Sequence, residues 1–185
     1  MMPKNLKLED IDEGIRDAVI NLNRIPGIDT LNASEGYIYE DNLFTPTRRG
    51  QIGFLRNPQA HLDLITKIAS LREAFPFSKL DIGELVSFPN GRLLHTICAD
   101  FEPYQGNGIK PVRSRTYKEI EEYFARARRR KARILEFWKA VSDETADYIY
   151  RNINSDLESL PYKESQSFPK KGEADRTFLN MGERI

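Results

Sequence analysis

Residues 81–101 read DIGELVSFPNGRLLHTICADF, and this stretch gives the clearest indication of the fold. Two apolar runs lie on either side of Asn90 and Gly91. Asn-Gly is favoured in two-residue hairpin turns, because these residue types tolerate positive φ. We therefore predict an antiparallel hairpin. Its predicted register pairs Phe88 with Leu93, Val86 with His95, and Leu85 with Thr96.

Two helical patterns flank the first predicted strands and precede the hairpin. In residues 10–25 the apolar side chains recur every three or four positions, which predicts an amphipathic helix that ends before Pro26. Asn57 followed by Pro58 is typical of a helix start, since asparagine caps free N–H groups and proline fits the first turn. A second helix is therefore predicted from Asn57 to about Phe75.

A third helical pattern follows the hairpin. Residues 116–152 contain neither proline nor glycine. At about 1.5 Å per residue, an unbroken helix of that length exceeds the width of a small domain. Ser142 and Asp143 are both good cap residues. We therefore predict a break there, which folds the segment into two antiparallel pieces.

Two further segments read as strands: residues 28–39, which glycine interrupts, and residues 51–56. The order helix, strands, helix, hairpin, long helix predicts an α/β domain of the α+β type. We expect two layers, with a mixed or antiparallel sheet of about four to five strands, helices on one face, and a long C-terminal helical segment. Residues 1–154 form the predicted single domain. The polar residues 155–185 are predicted to be a flexible or partner-docking tail.

Composition excludes several classes of protein. No apolar run approaches the ~20 residues that span a bilayer, and residues 1–10 lack the apolar core of a signal peptide. We therefore expect a soluble, cytoplasmic protein with no membrane partner. The chain has one cysteine and two histidines, which leaves few ligands for a metal, so no metal site is expected.

These few residues have ordinary expected roles. His61 is expected on the surface near the start of the second helix. His95 shares a face of its predicted strand with Leu93 and Ile97, which is more typical of a core histidine than of a catalyst. Cys98 is expected to be buried and unreactive.

The net charge of zero hides a strong segregation. Residues 1–41 carry four basic and nine acidic side chains, whereas residues 113–139 carry ten basic and four acidic ones. The basic surplus centres on residues 126–133, RARRRKAR, which cover nearly every direction around a helix. Two interpretations stay open: contact with nucleic-acid phosphates, or a solvated basic face paired with the acidic N-terminal segment. The candidate nucleic-acid contacts are Arg126, Arg128, Arg129, Arg130, Lys131 and Arg133.

Residues 30–37 read TLNASEGY, with small and polar residues where a buried strand normally carries apolar ones. One interpretation is a turn or bulge, in which such residues make local hydrogen bonds. The other is a backbone concavity that receives a polar ligand. No catalytic residue is assigned, because no nucleophile and base pair is identifiable by spacing. The candidate substrate- or cofactor-binding residues are Thr30, Ser34, Glu35, Gly36 and Tyr37.

Several stretches, in this order, resemble the small wybutosine-synthesis methyltransferases, which act on a tricyclic guanosine derivative in phenylalanine tRNA. The counterpart of the family's serine-rich S-x-S-G-R strand is LNASEGYI at residues 31–38. The family's next strand, helix and hairpin resemble residues 51–75 and 83–103. Its arginine-rich helix resembles residues 117–141. The resemblance covers residues 10–141.

The resemblance implies a tRNA-modifying methyltransferase that uses S-adenosylmethionine, with tRNA phosphates on the basic helix. Ser34 and Gly36 stand at matching positions of the serine-rich motif. Ala33, Glu35 and Tyr37 replace the family's residue types, and no arginine follows Gly36, so a diverged or inactive protein is a second interpretation. The alternative class is a non-catalytic binding or homo-oligomeric assembly module of the same fold. In that module the acidic segment of one copy meets the basic helix of another.

Overall fold

The computed structural model describes residues 8–86, 91–101, 112 and 115–154. The predicted turn at Asn90, most of the loop at residues 102–114, and the predicted tail at residues 155–185 lie outside the described residues. Within the described part, no helix is both long enough and apolar enough to cross a membrane.

The main sheet of the fold is antiparallel throughout. In chain order the strands are β1 (Asp29–Ser34), β2 (Tyr37–Ile38), β3 (Thr47–Arg48), β4 (Gly50–Arg56), β5 (Ser78–Val86) and β6 (Arg92–Ala99). Four of them form one sheet in the order β1, β4, β6, β5, and β2 pairs with β3 in a separate two-stranded sheet. The predicted mixed or antiparallel sheet is thus confirmed as a four-stranded antiparallel one.

Three α-helices pack on one face of this sheet: α1 (Glu13–Arg24), α2 (Leu62–Ser70) and α3 (Tyr117–Ile149). Short 3-10 turns at Leu8–Asp10 and Leu71–Glu73 and a π-helical segment at Tyr150–Asn154 are also present. Side chains on one face of β4 and β6, among them Phe54 and Ile97, form a single core with all three helices. The predicted two-layer architecture with helices on one face is confirmed.

The first helix ends where the sequence predicts. It stops at Arg24, and the N–H of Ile25 bonds to the carbonyl of Leu22. Pro26 cannot continue the hydrogen-bond ladder, and Gly27 takes a φ of +82°, which reverses the chain into β1. The buried side chains recur at helical spacing and include Ile15, Ala18, Val19 and Leu22.

The second helix starts at Leu62, so the predicted start at Asn57 is wrong. Buried Arg56 explains the difference. Its Nη1 donates at 2.7–2.9 Å to three backbone carbonyls, those of Asn57, Pro58 and Ala60. These carbonyls are therefore used by a side chain and not by a helical ladder, which holds the segment in a turn. Asn57 and Pro58 would start a helix only if the Arg56 side chain did not bind the carbonyls that follow it.

The third helix runs unbroken for 33 residues, about 50 Å. The predicted break at Ser142 and Asp143 is therefore wrong. Ser142 is buried, and its hydroxyl and carbonyl oxygens accept hydrogen bonds from the Asn21 side chain at 3.0 and 3.2 Å. This contact fixes α1 against α3, so the serine serves helix packing and not a cap. At the other end, Thr116 and Glu119 form a capping box that starts the helix.

The hairpin is present, but its register differs from the prediction. The observed pairs are Val86 with Arg92, Leu85 with Leu93, Ile82 with His95, and Asp81 with Thr96. The predicted pairs of Val86 with His95 and Leu85 with Thr96 are therefore wrong. The register shifts between Ile82 and Leu85, which is typical of a β-bulge. Leu93 pairs with Leu85, so the predicted pair of Leu93 with Phe88 is also wrong, and Phe88 itself lies outside the described residues.

The isolated histidines and the cysteine are structural. His61, expected on the surface, is partly buried, with ring nitrogens 3.0 Å from the Tyr148 hydroxyl and 2.8 Å from the Pro26 carbonyl oxygen. His95 is fully buried as expected, and its Nε2 accepts a hydrogen bond from Arg56 at 2.9 Å. Cys98 is buried as expected, and burial raises the pKa of its thiol. Among the described residues, no three acidic, histidine or cysteine side chains are grouped as metal ligands.

Candidate functional site

The predicted ligand-binding residues from Ser34 to Tyr37 form a corner between β1 and β2. Strand β1 ends at Ser34, and Gly36 takes a φ of +91°, which turns the chain into β2. A Cβ on Gly36 would lie 2.9 Å from the backbone nitrogen of Gly50 and 3.1 Å from the ring of Phe101. Only glycine fits so close an approach. The glycine break in the sequence pattern therefore marks a tight contact between two segments of backbone.

Glu35 is the centre of a polar network at this corner. Its carboxylate accepts a hydrogen bond from the N–H of Gly14 at 2.9 Å and forms an ion pair with Nζ of Lys131 at 2.7 Å. The two side chains are 20% and 21% exposed, so water screens the pair only weakly. The backbone N–H of Glu35 donates to Asp12, and its carbonyl accepts from the indole of Trp138. Glu35 therefore joins the N-terminus of α1 to the middle of α3.

Tyr37 extends the same network. Its hydroxyl donates to the carboxylate of Asp12, and Nζ of Lys131 lies 5.8 Å from its ring centre and donates to the carbonyl of Gly36. The hydrogen bond to Asp12, followed by burial and the negative charges of Asp12 and Glu35, raises the pKa of Tyr37 to about 12. The hydroxyl is thus a donor at neutral pH and not a base. We call Asp12, Glu35, Gly36, Tyr37 and Lys131 the corner network.

Thr30 and Ser34 face the protein interior. Thr30 is fully buried, and its N–H donates to the Asn23 side chain at 2.9 Å. Ser34 is 8% exposed, and its hydroxyl accepts a hydrogen bond from the N–H of Gly36 at 3.3 Å. Ser34, Glu35, Gly36 and Tyr37 are therefore brought together, whereas Thr30 lies towards the other end of β1.

These residues do not fit S-adenosylmethionine as they are arranged here. Polar groups of that cofactor need donors and acceptors that face a cavity. The carboxylate of Glu35, the hydroxyl of Tyr37 and the carbonyl of Gly36 are already paired within the chain. Thr30 and Ser34 are closed to solvent. The corner network is therefore a structural junction between α1, β2 and α3.

The six candidate nucleic-acid contacts are divided between two sides of α3. On one side, Arg128 makes two hydrogen bonds to the carboxylate of Glu40, at 2.8 and 2.9 Å, and Lys131 belongs to the corner network. The hydrogen bond between Arg128 and Glu40 raises the pKa of Arg128 and lowers the pKa of Glu40. Glu35 and Glu40 both come from the acidic N-terminal segment. The interpretation of a basic face paired with that segment therefore applies to Arg128 and Lys131.

On the other side, the remaining four candidates line a cleft of about 570 Å³. We call it the arginine cleft, and its lining residues are Pro76, Phe77, Arg126, Arg129, Arg130 and Arg133. Arg129, Arg130 and Arg133 follow Arg126 by three, four and seven positions. This spacing places all four arginines on one stripe of the helix. Arg126, Arg129 and Arg133 are exposed, and Arg130 is half-buried.

Aromatic rings support two of these arginines. The guanidinium carbon of Arg130 lies 4.7 Å from the ring centre of Phe77, and that of Arg133 lies 5.1 Å from the ring centre of Phe75. Both rings pack against Phe137 in the core, with centres 6.2 and 5.5 Å away. A cation over an aromatic face is favourable, and core packing makes the rings a rigid support. The two guanidinium groups are thereby held in defined positions.

Most of the positive charge in the arginine cleft has no acidic partner. Arg133 pairs with Glu136 and donates to the carbonyl of Ala74. Within the described ranges, no carboxylate forms an ion pair with Arg126, Arg129 or Arg130. Clustered guanidinium groups without counter-charges attract anions, and they bind phosphate oxygens through parallel N–H donors. The cleft is therefore the candidate nucleic-acid interface.

A second cleft, of about 540 Å³, lies where α1 leads into β1. It is lined by residues 23–29 together with Asn57 and Arg92, and we call it the β1 cleft. Asn23 is 9% exposed; its Oδ1 accepts the Thr30 N–H, and its Nδ2 has no hydrogen-bond partner. Arg92 pairs with Asp29 and donates to the carbonyl of Gly27 at 2.8 Å. No residue of the corner network lines either cleft.

Sequence reasoning missed three residues that shape these clefts: Phe75, Phe77 and Arg92. Phe75 and Phe77 stand on either side of Pro76, at the end of the second helical pattern. Two aromatic residues around a proline were the sequence feature that could have indicated a surface site. Arg92 follows the turn glycine and looks like a solvent-exposed hairpin residue. Its contacts with Asp29 and Gly27 depend on the fold, so no local pattern predicts them.

Comparison with known proteins gives little further information. No protein-family model matches the chain, and no curated protein sequence matches it. Among solved structures, the chain is similar to the PH1069 protein from Pyrococcus horikoshii, with 16% sequence identity and a TM-score of 0.43. The similarity covers 74% of this chain and 86% of that one. A likeness at this level carries no argument about function.

Proposed function

We propose that this protein binds RNA in the arginine cleft and that the RNA is a transfer RNA. The observation that carries the RNA part is the cluster of Arg126, Arg129 and Arg130, which has no carboxylate partner among the described residues. RNA phosphates suit this cluster, because each neutralised phosphate also releases condensed counterions. The assignment to transfer RNA rests on the sequence resemblance across residues 10–141.

The contrast between the two sides of α3 supports this proposal. Arg128 and Lys131 are neutralised by Glu40 and Glu35 within the same chain. Arg126, Arg129 and Arg130 stand on the same helical turns and lack such partners in the described part of the protein, and among the cleft arginines Arg133 pairs with Glu136. A purely solvated face does not need guanidinium groups seated on aromatic rings, as Arg130 is on Phe77. A surface that receives a ligand gains from such fixed positions, because less side-chain freedom is lost on binding.

The first experiment measures binding of an unmodified tRNA transcript to the full chain by fluorescence anisotropy. The double variant Arg126→Gln/Arg129→Gln should weaken binding by about tenfold or more, since each phosphate contact contributes to affinity. The control Arg128→Gln/Lys139→Gln removes the same charge from α3 outside the cleft. It should keep affinity close to that of the unaltered protein. Equal losses in the two variants would overturn the assignment of the cleft.

The reaction proposed for the bound tRNA is methyl transfer from S-adenosylmethionine, and its support is the same sequence resemblance. Because the corner network does not fit the cofactor, no catalytic step is derived from Ser34, Glu35 or Tyr37. The β1 cleft, at about 540 Å³, has the volume of a small-molecule pocket. It is the alternative place to look for the cofactor.

Thermal unfolding with and without S-adenosylmethionine tests this part separately, since a ligand of the folded state raises the midpoint. Loss of the shift in Ser34→Ala would assign the cofactor to the corner, and loss in Arg24→Gln would assign it to the β1 cleft. If the unaltered protein shows no shift and transfers no labelled methyl group to tRNA, the methyltransferase proposal fails. RNA binding would then be tested by the anisotropy measurement alone.

The second candidate function is a non-catalytic assembly module. It requires the acidic segment of one copy to meet the basic helix of another. Glu35 and Glu40 instead contact α3 of their own chain, and this observation favours RNA as the partner of the cleft. Sedimentation at low salt separates the two: a dimer that dissociates on Arg129→Gln would support assembly, and a monomer would oppose it.

A further inference from the structure

We propose that the arginine cleft holds an unpaired nucleotide, with its base stacked on the guanidinium of Arg130 and its phosphate on the neighbouring arginines. This inference rests on the proposed RNA binding and adds the class of RNA. The recognised segment is single-stranded or looped, and a regular duplex is a poor ligand.

Arg130 is the residue that makes stacking feasible. Its guanidinium carbon lies over the Phe77 ring, 4.7 Å from the ring centre. Phe77 is only 9% exposed, so the ring itself is largely covered. Arg130 is half-buried and lines the cleft, so the part of the side chain that remains accessible borders the cleft. Bases stack on guanidinium planes as well as on aromatic rings, so a base can add a third layer to this stack.

Arg126 and Arg129 can bind the phosphate, which leaves the guanidinium of Arg130 for the base. Within the described residues, the guanidinium has no hydrogen-bond acceptor, in contrast to Arg128 with Glu40 and Arg133 with Glu136. Arg126 stands about one helical turn from Arg130 on the same stripe, and Arg129 is its neighbour in sequence. A nucleotide whose base covers Arg130 therefore has unpaired guanidinium donors within reach of its phosphate.

The stacking position argues against duplex RNA. The cleft is open to solvent, and Pro76 and Phe77 line it beside the arginines. In a duplex the bases are stacked inside the helix, and the outer surface offers phosphates and sugars. A regular helix can therefore contact the arginines through its phosphates, but it offers no unstacked base to Arg130. A segment with exposed bases can do both.

The test compares three oligomers with the same number of phosphates per strand on the full chain: a single-stranded RNA, a blunt RNA duplex and an abasic strand. The single strand should bind about tenfold more tightly than the abasic strand, since base stacking adds to the phosphate contacts. It should also bind more tightly than the duplex. This comparison uses the unaltered protein and so does not depend on the folding of any variant.

Two charge-conserving variants locate the stacking. Arg130→Lys keeps the positive charge and removes the planar group. The variant should therefore bind the single strand no more tightly than the abasic strand, and its affinity for the abasic strand should stay unchanged. Arg128→Lys, on the side of α3 that pairs with Glu40, should keep the preference. Persistence of the preference in Arg130→Lys would overturn the role of that residue.

The outcomes also separate this inference from the proposed function. Equal binding of the single strand, the duplex and the abasic strand would overturn the stacking inference and leave RNA binding intact. Absence of binding to all three oligomers and to tRNA would overturn both.

Discussion

Arg128 and Glu40 form a two-point ion pair, with 2.8 Å between Nε and Oε1 and 2.9 Å between Nη2 and Oε2. The pair neutralises one cation of the basic turn of α3 within the chain. Lys131 is neutralised by Glu35 in the same way, but in a more buried setting. The positive charge of the turn is therefore directed to one side of the helix, where the arginine cleft lies.

These two ion pairs should differ in their contribution to stability. Lys131 and Glu35 are 21% and 20% exposed, so loss of one partner leaves a shielded charge and should cost about 2 kcal/mol. A double-mutant cycle with Glu35→Gln and Lys131→Met, followed by urea unfolding, should give a clear coupling energy. The matched cycle with Glu40→Gln and Arg128→Gln should give a coupling within error of zero, because water screens that pair. Similar coupling in both cycles would contradict the structural role of the corner network.

Gly36 should be intolerant of substitution. Its φ is +91°, and an added Cβ would lie 2.9 Å from the backbone nitrogen of Gly50, which cannot move aside cheaply. Gly36→Ala should therefore cost about 3 kcal/mol of unfolding free energy, from backbone strain and the clash together. Gly27→Ala is the control, because its φ of +82° is similar and an added Cβ meets nothing within 4 Å. It should cost about 1 kcal/mol, from strain alone. Equal costs would show that Gly36 does not make the close approach described.

His95 should make stability depend on pH between about 4 and 6.5. Burial, followed by the charge of Arg56, lowers the pKa of His95 to about 4. The unfolded chain binds the proton below its ordinary pKa while the folded protein does not, so stability is complete above that pKa and falls as pH falls. At pH 5 the loss should be about 2 kcal/mol.

Urea unfolding at pH 7.5 and pH 5.0 measures this effect against His95→Gln. The glutamine keeps an acceptor for Arg56 but cannot titrate, so the variant should lose about 2 kcal/mol less than the unaltered protein over this interval. Carboxylates contribute equally to both proteins and cancel in the comparison. An identical pH dependence would show that His95 is not buried as a neutral side chain.

The parts of the fold that local patterns determine were predictable. The apolar stripe of α1 and the stop at Pro26 depend on neighbouring residues, and both are confirmed. The start of α2 was not predictable, because Arg56 takes the carbonyls that the helix would use. The role of Ser142 in helix packing was likewise not predictable, because its contact with Asn21 joins residues that are distant in sequence.

The candidate site shows the same limit. The sequence reveals six cations in eight positions, but it does not reveal which of them the acidic segment neutralises. Glu40 and Glu35 lie 88 and 96 positions from their partners Arg128 and Lys131, and only the fold brings them together. The open arginine side of α3 therefore became identifiable only after these two pairs were located. Gly36 in the TLNASEGY stretch did indicate an unusual backbone conformation. The polar residues around it, however, form a structural junction between α1, β2 and α3.

The salt dependence of tRNA binding tests the central claim most directly. The logarithm of affinity falls with the logarithm of salt concentration in proportion to the number of phosphates contacted. Removing two cleft arginines in Arg126→Gln/Arg129→Gln should reduce that slope by about 1.5, whereas Arg128→Gln/Lys139→Gln should leave it unchanged. If both double variants give the same slope, the phosphates do not lie in the arginine cleft.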